Sequence, residues 1–224
     1  MTSSFKVTVR PPSPNNTKIL IALGYKGIDA EIDAVSGMEP ETIAKLVKIS
    51  GQPLTPILEH NGVVIYDSGA ILRYLDANCE GPRLFSADKV EMKAIEEWEA
   101  YHKSGIGAAM GPAFGVFFGG IDASKEKESV EASNAALHEA SLKVEEQLAA
   151  QAKNGSEWLV GDTMTAADIL VASVMVLAAF PDGMAGANPL WKWFGERLTL
   201  GEGRDLCRAH IARVHAYLPT TATA

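Results

Sequence analysis

Between Gly51 and Asp76 the chain reads GQPLTPILEHNGVVIYDSGAILRYLD, and three positions leave this stretch few ways to fold. A proline cannot donate to a sheet ladder, so Pro56 marks the beginning of a strand and not its middle. Asn61-Gly62 stands between two apolar runs. That is the signal of a two-residue type I′ hairpin, whose central residues both need positive φ. Asp67-Ser68 then opens a helix, with Ile71, Leu72 and Leu75 apolar at helical spacing. The order is strand, tight turn, strand, helix.

This order has a chemical consequence. If the Thr55-Pro56 bond is cis, at a cost of about 0.5–1 kcal/mol, the N–H and C=O of Thr55 turn outward. They can then pair with a ligand backbone as an added strand would. The helix that follows presents free N–H groups and the positive end of its dipole, suited to a carboxylate, with the Ser68 hydroxyl as a further donor. Asp67 offers its charge to an ammonium. A small, extended peptide with both charges at one end fits these groups. An ordinary βα unit capped by Asp67 or Ser68 accounts for the same residues without a ligand.

The flanking sequence extends the pattern. Phe5 to Arg10 alternates as a strand, and Asn16 to Lys26 carries Ile19, Leu20 and Leu23 on one helical face. Ala30 to Val35 reads as a second strand and Glu41 to Lys48 as a short helix. The result is βαβ followed by ββα, an α/β arrangement of the thioredoxin-like kind. Ala77 to Asp88 breaks it with Gly81-Pro82, and everything beyond reads as helical. We therefore expect a thioredoxin-like domain over 1–79, a linker over 80–88 and an all-α domain over 89–224.

The helical half holds one strong local signal. Thr165 and Asp168 have the spacing of a capping box, and Met164 and Ile169 that of its hydrophobic staple. Ile169 to Phe180 is apolar nearly all round, which predicts a buried helix. This is a folding element and carries no chemistry.

A proline-led strand, a hairpin and then Asp67-Ser68 with Ile71, Tyr74 and Leu75 resemble the glutathione-binding half of the soluble glutathione transferases. Trp158 to Asp162 with the capping box resembles the core helix of the second domain in the same superfamily. The resemblance implies that Thr55, before a cis Pro56, pairs with the cysteinyl backbone of glutathione. It implies that Asp67 and Ser68 hold the γ-glutamyl end. Leu54 departs from the lysine that many members carry there, at a position facing the glycyl carboxylate.

Ser13-Pro14-Asn15-Asn16-Thr17-Lys18 lies between the first strand and the first helix. Serine is a good N-cap and proline is favoured at the first helical position, so local structure alone explains both. The run is also similar to bacterial members in which Thr-Pro-Asn serves the thiol. On that reading Ser13 is the catalytic hydroxyl donating to the glutathione sulfur, and Asn15 offers a second donor. A free thiol with a pKa of about 8.5 must be lowered to ionise at neutral pH. A hydrogen bond and a helix N-terminus supply on the order of 1 kcal/mol each. A serine forms no mixed disulfide. The resemblance therefore implies conjugation of glutathione, a co-substrate, to a small apolar electrophile, or reduction of a peroxide, in a detoxification role.

The electrophile pocket implied by the family falls on the first long helix of the helical half. There Tyr101, Met110, Phe114 and Phe117 are candidate lining. They are interleaved with Gly105, Gly107, Gly111 and Gly115, and Pro112 is expected to kink or end the helix. A core stripe packed through glycine explains these residues equally well. The histidines have no metal-ligand spacing, and Cys79 and Cys207 form no Cys-x-x-Cys pair, so no metal is expected.

A net charge of −8 without a basic tract argues against nucleic acid as a partner. No apolar run is long enough to span a bilayer, and MTSSFKVTVR lacks the build of a signal peptide. A cytoplasmic protein is expected, and the family is typically homodimeric. A second functional class stands beside the enzyme. Lys18 to Ile32 is similar to the transferase-like part of the translation elongation factor gamma subunit, a non-catalytic assembly module. The intact hydroxyl and acidic-Ser pair favour the enzyme.

Overall fold

The computed structural model describes residues 5–181, 184 and 188–219. It divides into two compact units. One runs through Phe85 and takes in the segment from Tyr217, and the other is Ser86–Ala216.

The first unit is built on four strands in the order β2-β1-β3-β4. Strands β1 (Phe5–Val9) and β2 (Ala30–Ala34) run parallel, a pairing that needs a crossover connection between them. That helix is α1 (Pro14–Lys26), with proline at its first position and Ile19, Ile21 and Ala22 fully enclosed. It begins two residues before the sequence pattern suggested, because the apolar periodicity starts only after the polar first turn. α2 (Pro40–Ser50) follows β2. β3 (Ile57–His60) then lies antiparallel to β1, and β4 (Val63–Tyr66) antiparallel to β3. The hairpin between them turns on Asn61 at φ 50° and Gly62 at φ 79°, as a type I′ turn requires. α3 (Ser68–Asn78) completes the expected βαβ-ββα order.

Tyr217 groups with the first unit. Its ring stands edge-on to Tyr25 of α1, centroids 5.0 Å apart. A Cβ on Gly24 would lie 2.0 Å from the Tyr217 carbonyl oxygen, so only glycine allows this approach. The return is a tertiary contact that no local periodicity announces.

The second unit is all-helical. α4 (Lys89–Tyr101), a π-helical turn (His102–Gly107) and α5 (Ala108–Phe117) follow one another directly. α6 (Glu126–Ala152), α7 (Ala166–Met175), α8 (Pro189–Arg197) and α9 (Asp205–His215) come after. On α6, Leu137, Ala140, Val144 and Leu148 form the buried face. The helix does not end at Pro112: Pro112 lies inside α5, and a π-turn stands upstream. One reason is that the Ala113 N–H, next to the missing donor, is taken by the fully buried Ser133 hydroxyl at 3.0 Å.

The capping box at the head of α7 is present. Asp168 is fully buried, and its carboxylate accepts from the Leu159 N–H at 2.8 Å, the Thr165 N–H at 2.7 Å and the Thr165 hydroxyl at 2.9 Å. Met164 and Ile169 are both fully enclosed. The helix ends at Met175 and tightens into a 3₁₀ turn over Val176–Ala178, short of Phe180. No helix among the described residues is long and apolar enough to cross a membrane.

Candidate active site

Strand register brings three separated segments to one end of the sheet. The ladders pair Thr8 with Ile57 and Ile57 with Tyr66. The exit of β1, the entry of β3 and the exit of β4 therefore lie side by side. Ser13 follows the first, Thr55-Pro56 precedes the second, and Asp67-Ser68 follows the third. Of the residues expected to contact glutathione, Ser13 and Asn15 lie beyond the exit of β1, Leu54, Thr55 and Pro56 lie before β3, and Asp67 and Ser68 lie after β4.

The loop from β1 to α1 is braced locally. The Asn16 side chain, 2 % exposed, donates to the Arg10 carbonyl at 2.6 Å. Ser13 is the N-cap residue of α1, yet its hydroxyl makes no capping hydrogen bond. Its carbonyl is the occupied group, accepting from the Thr17 N–H at 2.9 Å and the Thr17 hydroxyl at 3.1 Å. The hydroxyl is thus available at the positive end of a thirteen-residue helix. Asn15 is exposed, and its Oδ1 accepts from Lys18 Nζ at 2.8 Å.

The Thr55-Pro56 peptide is cis. Both backbone groups of Leu54 are occupied by Gln52, which accepts from the Leu54 N–H at 2.7 Å and donates to its carbonyl at 2.9 Å. Neither backbone group of Thr55 has a partner among the described residues, and its ladder neighbours begin only at Ile57. A peptide-like edge is therefore open at Thr55. Gln52 was not foreseen as a support. Its signal was slight, a polar side chain two residues before an exposed Leu54.

Asp67 has φ 71°, a region that non-glycine residues rarely adopt. Its Oδ1 accepts from the Gly69 N–H at 2.9 Å and the Ala70 N–H at 3.1 Å. Ser68 is left out of this cap: its N–H and hydroxyl have no partner among the described residues. α3 thus offers two free donors at its head, beside a carboxylate that is exposed.

Of the residues expected to line a second pocket, Met110 is fully enclosed in the helical core. The Tyr101 hydroxyl donates to the Ala140 carbonyl at 3.4 Å, and Lys143 Nζ lies 3.8 Å from its ring centroid. Phe114 and Phe117 are half-buried and share a cluster with Phe118, Trp193 and Phe194, with Phe118 68 % exposed. A groove of about 370 Å³ beside α8 is walled by Phe180, Trp191 and Gly195. Another, of about 940 Å³ and lined by Lys6, Asp29, Glu31, Glu59 and His60, lies at the opposite end of the sheet from Ser13 and Thr55.

Residues 9–83 match the glutathione S-transferase N-terminal domain, and residues 107–198 match the glutathione S-transferase C-terminal domain. Glutathione S-transferase L1 of Arabidopsis thaliana is 32% identical over 89 residues, covering 39% of this chain and 38% of that protein. Elongation factor 1-gamma 2 of Oryza sativa subsp. japonica is 28% identical over 166 residues, covering 70% of this chain and 36% of its own length. The matched stretch is thus under two fifths of either relative. The fold is similar to that of a glutathione S-transferase from Methylobacterium radiotolerans solved with glutathione sulfonate, with a TM-score of 0.63 and 20% identity over 98% of this chain and 92% of that one. Both units are matched, each to its own domain of one two-domain family, and so the chain belongs to the glutathione S-transferase superfamily.

Proposed function

We propose that this protein is a serine-type glutathione transferase that binds glutathione at the sheet end formed by Ser13, Thr55 and Asp67. The Thr55 backbone takes the peptide backbone of the ligand. The Ser68 donors and the Asp67 carboxylate take the carboxylate and ammonium of its γ-glutamyl end. Ser13 donates to the sulfur with the help of Asn15. The thiolate so formed attacks a small apolar electrophile or reduces a peroxide. The glycyl end meets Leu54, which is 62 % exposed and offers no charge. Phe114 and Phe117 are retained as candidate lining for the electrophile, and the functional form is a homodimer, as is usual in the family.

One observation carries the reading: the Ser13 hydroxyl sits at the N-cap of α1 without capping it. A serine that served only the helix would bond a first-turn N–H. The second reading, a non-catalytic module of the elongation-factor-gamma kind, is favoured by the relative that aligns with 70% of the chain.

Calorimetry of glutathione binding, with thiolate absorbance followed across pH, separates the two. The parent chain is expected to bind and to form thiolate near neutral pH. Ser13→Ala is expected to bind with little loss but to need a pH about one to two units higher. Binding without thiolate formation by the parent chain would reduce Ser13 to a structural residue. No binding would leave the assembly module.

A further inference from the structure

Lys18 lies in the second turn of α1 and is 2 % exposed, with its Nζ 2.8 Å from Oδ1 of Asn15. An ammonium group has three donors and no acceptor. The Asn15 atom that faces it is therefore the oxygen, and the Nδ2 group is turned the other way. Amide orientation is usually ambiguous, but here the chemistry of the neighbour decides it. Asn15 itself is exposed, at the end of the helix where the Ser13 hydroxyl makes no cap bond. Withdrawing an ammonium from water is costly, and an exposed asparagine does not need a buried partner to satisfy its amide.

We infer that Lys18 is a positioning residue for thiol activation, fixing the Asn15 amide so that its N–H groups face the sulfur of bound glutathione. The inference rests on the glutathione reading above. Asn15 touches the ligand, and Lys18 acts through it. The oxygen of a freely rotating amide would spend part of its time toward the thiolate and repel it. Held by the ammonium, the amide offers only donors.

The test follows the ionisation of glutathione bound to the full chain by thiolate absorbance, with binding of S-methylglutathione, which has no thiol, measured alongside. Lys18→Met is expected to raise the half-ionisation pH by about one unit, equivalent to about tenfold less thiolate at a fixed pH below it. S-methylglutathione affinity should stay within about threefold, under 1 kcal/mol. Asn15→Ala should give a similar upward shift, and adding Lys18→Met to it should shift the titration no further. Lys18→Arg, which keeps a donor, should restore part of the loss. A Lys18→Met chain that titrates like the parent overturns the inference. So does a Lys18 effect of full size in the Asn15→Ala background, since the charge would then act without the amide. Should Lys18→Met fail to fold, Asn15→Asp takes its place. It keeps an acceptor for Lys18 but has no donor, and a parental titration there overturns the inference equally. A parent chain that binds neither glutathione nor S-methylglutathione overturns the underlying site, and the role of Lys18 with it.

Discussion

The heads of α3 and α7 use the same chemistry to different ends. Each is opened by an aspartate and a hydroxyl residue, and each aspartate accepts from nearby N–H groups. At α7 the carboxylate is fully buried, and its three short bonds all come from within the chain. At α3 the carboxylate is exposed, the backbone stands at φ 71°, and the neighbouring serine keeps two donors without a partner among the described residues. A polar cluster that satisfies itself holds a fold together. One that stops short of doing so, in a sparsely populated conformation, has the character of a binding site.

The contrast breaks first at Asp168. Asp168→Ala removes the acceptor of three buried donors, and His210, 3.6 Å away and 1 % exposed, loses its neighbour. Urea unfolding should show a loss of about 3–5 kcal/mol. A loss below about 1 kcal/mol would mean that α7 is no more structural than α3.

The same buried group sets a pH dependence. Burial lowers His210 to about 3 and His215 to about 4, and raises Asp168 to about 6. Between about pH 6 and pH 4.5 both histidines stay neutral in the fold but gain protons on unfolding, at their ordinary value of about 6.5. Asp168 works in the opposite direction, being protonated in the fold and ionised in the unfolded chain. Unfolding therefore takes up about one net proton, and stability should fall with acidification by about 1.4 kcal/mol per pH unit. His215→Leu removes one of the two uptakes and should flatten that part of the profile, as read by denaturant melts at several pH values. An unchanged slope would exclude His215 as a contributor.

The smallest effect on stability, and the sharpest on function, is expected at Asp67. Asp67→Ala loses the cap and about 1 kcal/mol. Asp67→Gly loses the cap too, but it accepts φ 71° without strain and should recover much of that. Both should weaken glutathione binding by about tenfold or more, since a charged hydrogen bond contributes about 1.5–3 kcal/mol. Thermal melts and calorimetry on the same samples check this. If Asp67→Gly binds like the parent, the α3 head is a plain cap and the contrast with α7 fails.

Much of both helix heads was legible because their signals are local. Asn61-Gly62 states its turn, Thr165 and Asp168 state their box, and Pro14 stands at a first helical position. The π-turn at His102–Gly107 was not legible, nor was the passage of Pro112 through α5. The second depends on Ser133, twenty residues further on, supplying an acceptor. The burial of Lys18 was hidden for a similar reason: a lysine reads as a surface residue until its surroundings are known.

Sequence by itself determined the two classes of structure, the order of elements and the residue types at the candidate site. All of these rest on propensity, periodicity and turn chemistry within a few residues. Only the tertiary structure decided that Ser13, Thr55 and Asp67 share one end of the sheet, because strand register pairs residues about fifty apart. It alone decided that the Ser13 hydroxyl stays uncapped and that the Asn15 amide is oriented by a buried ammonium. Hydrogen-bond partners are chosen by what the fold brings within 3 Å, and no local pattern contains that distance.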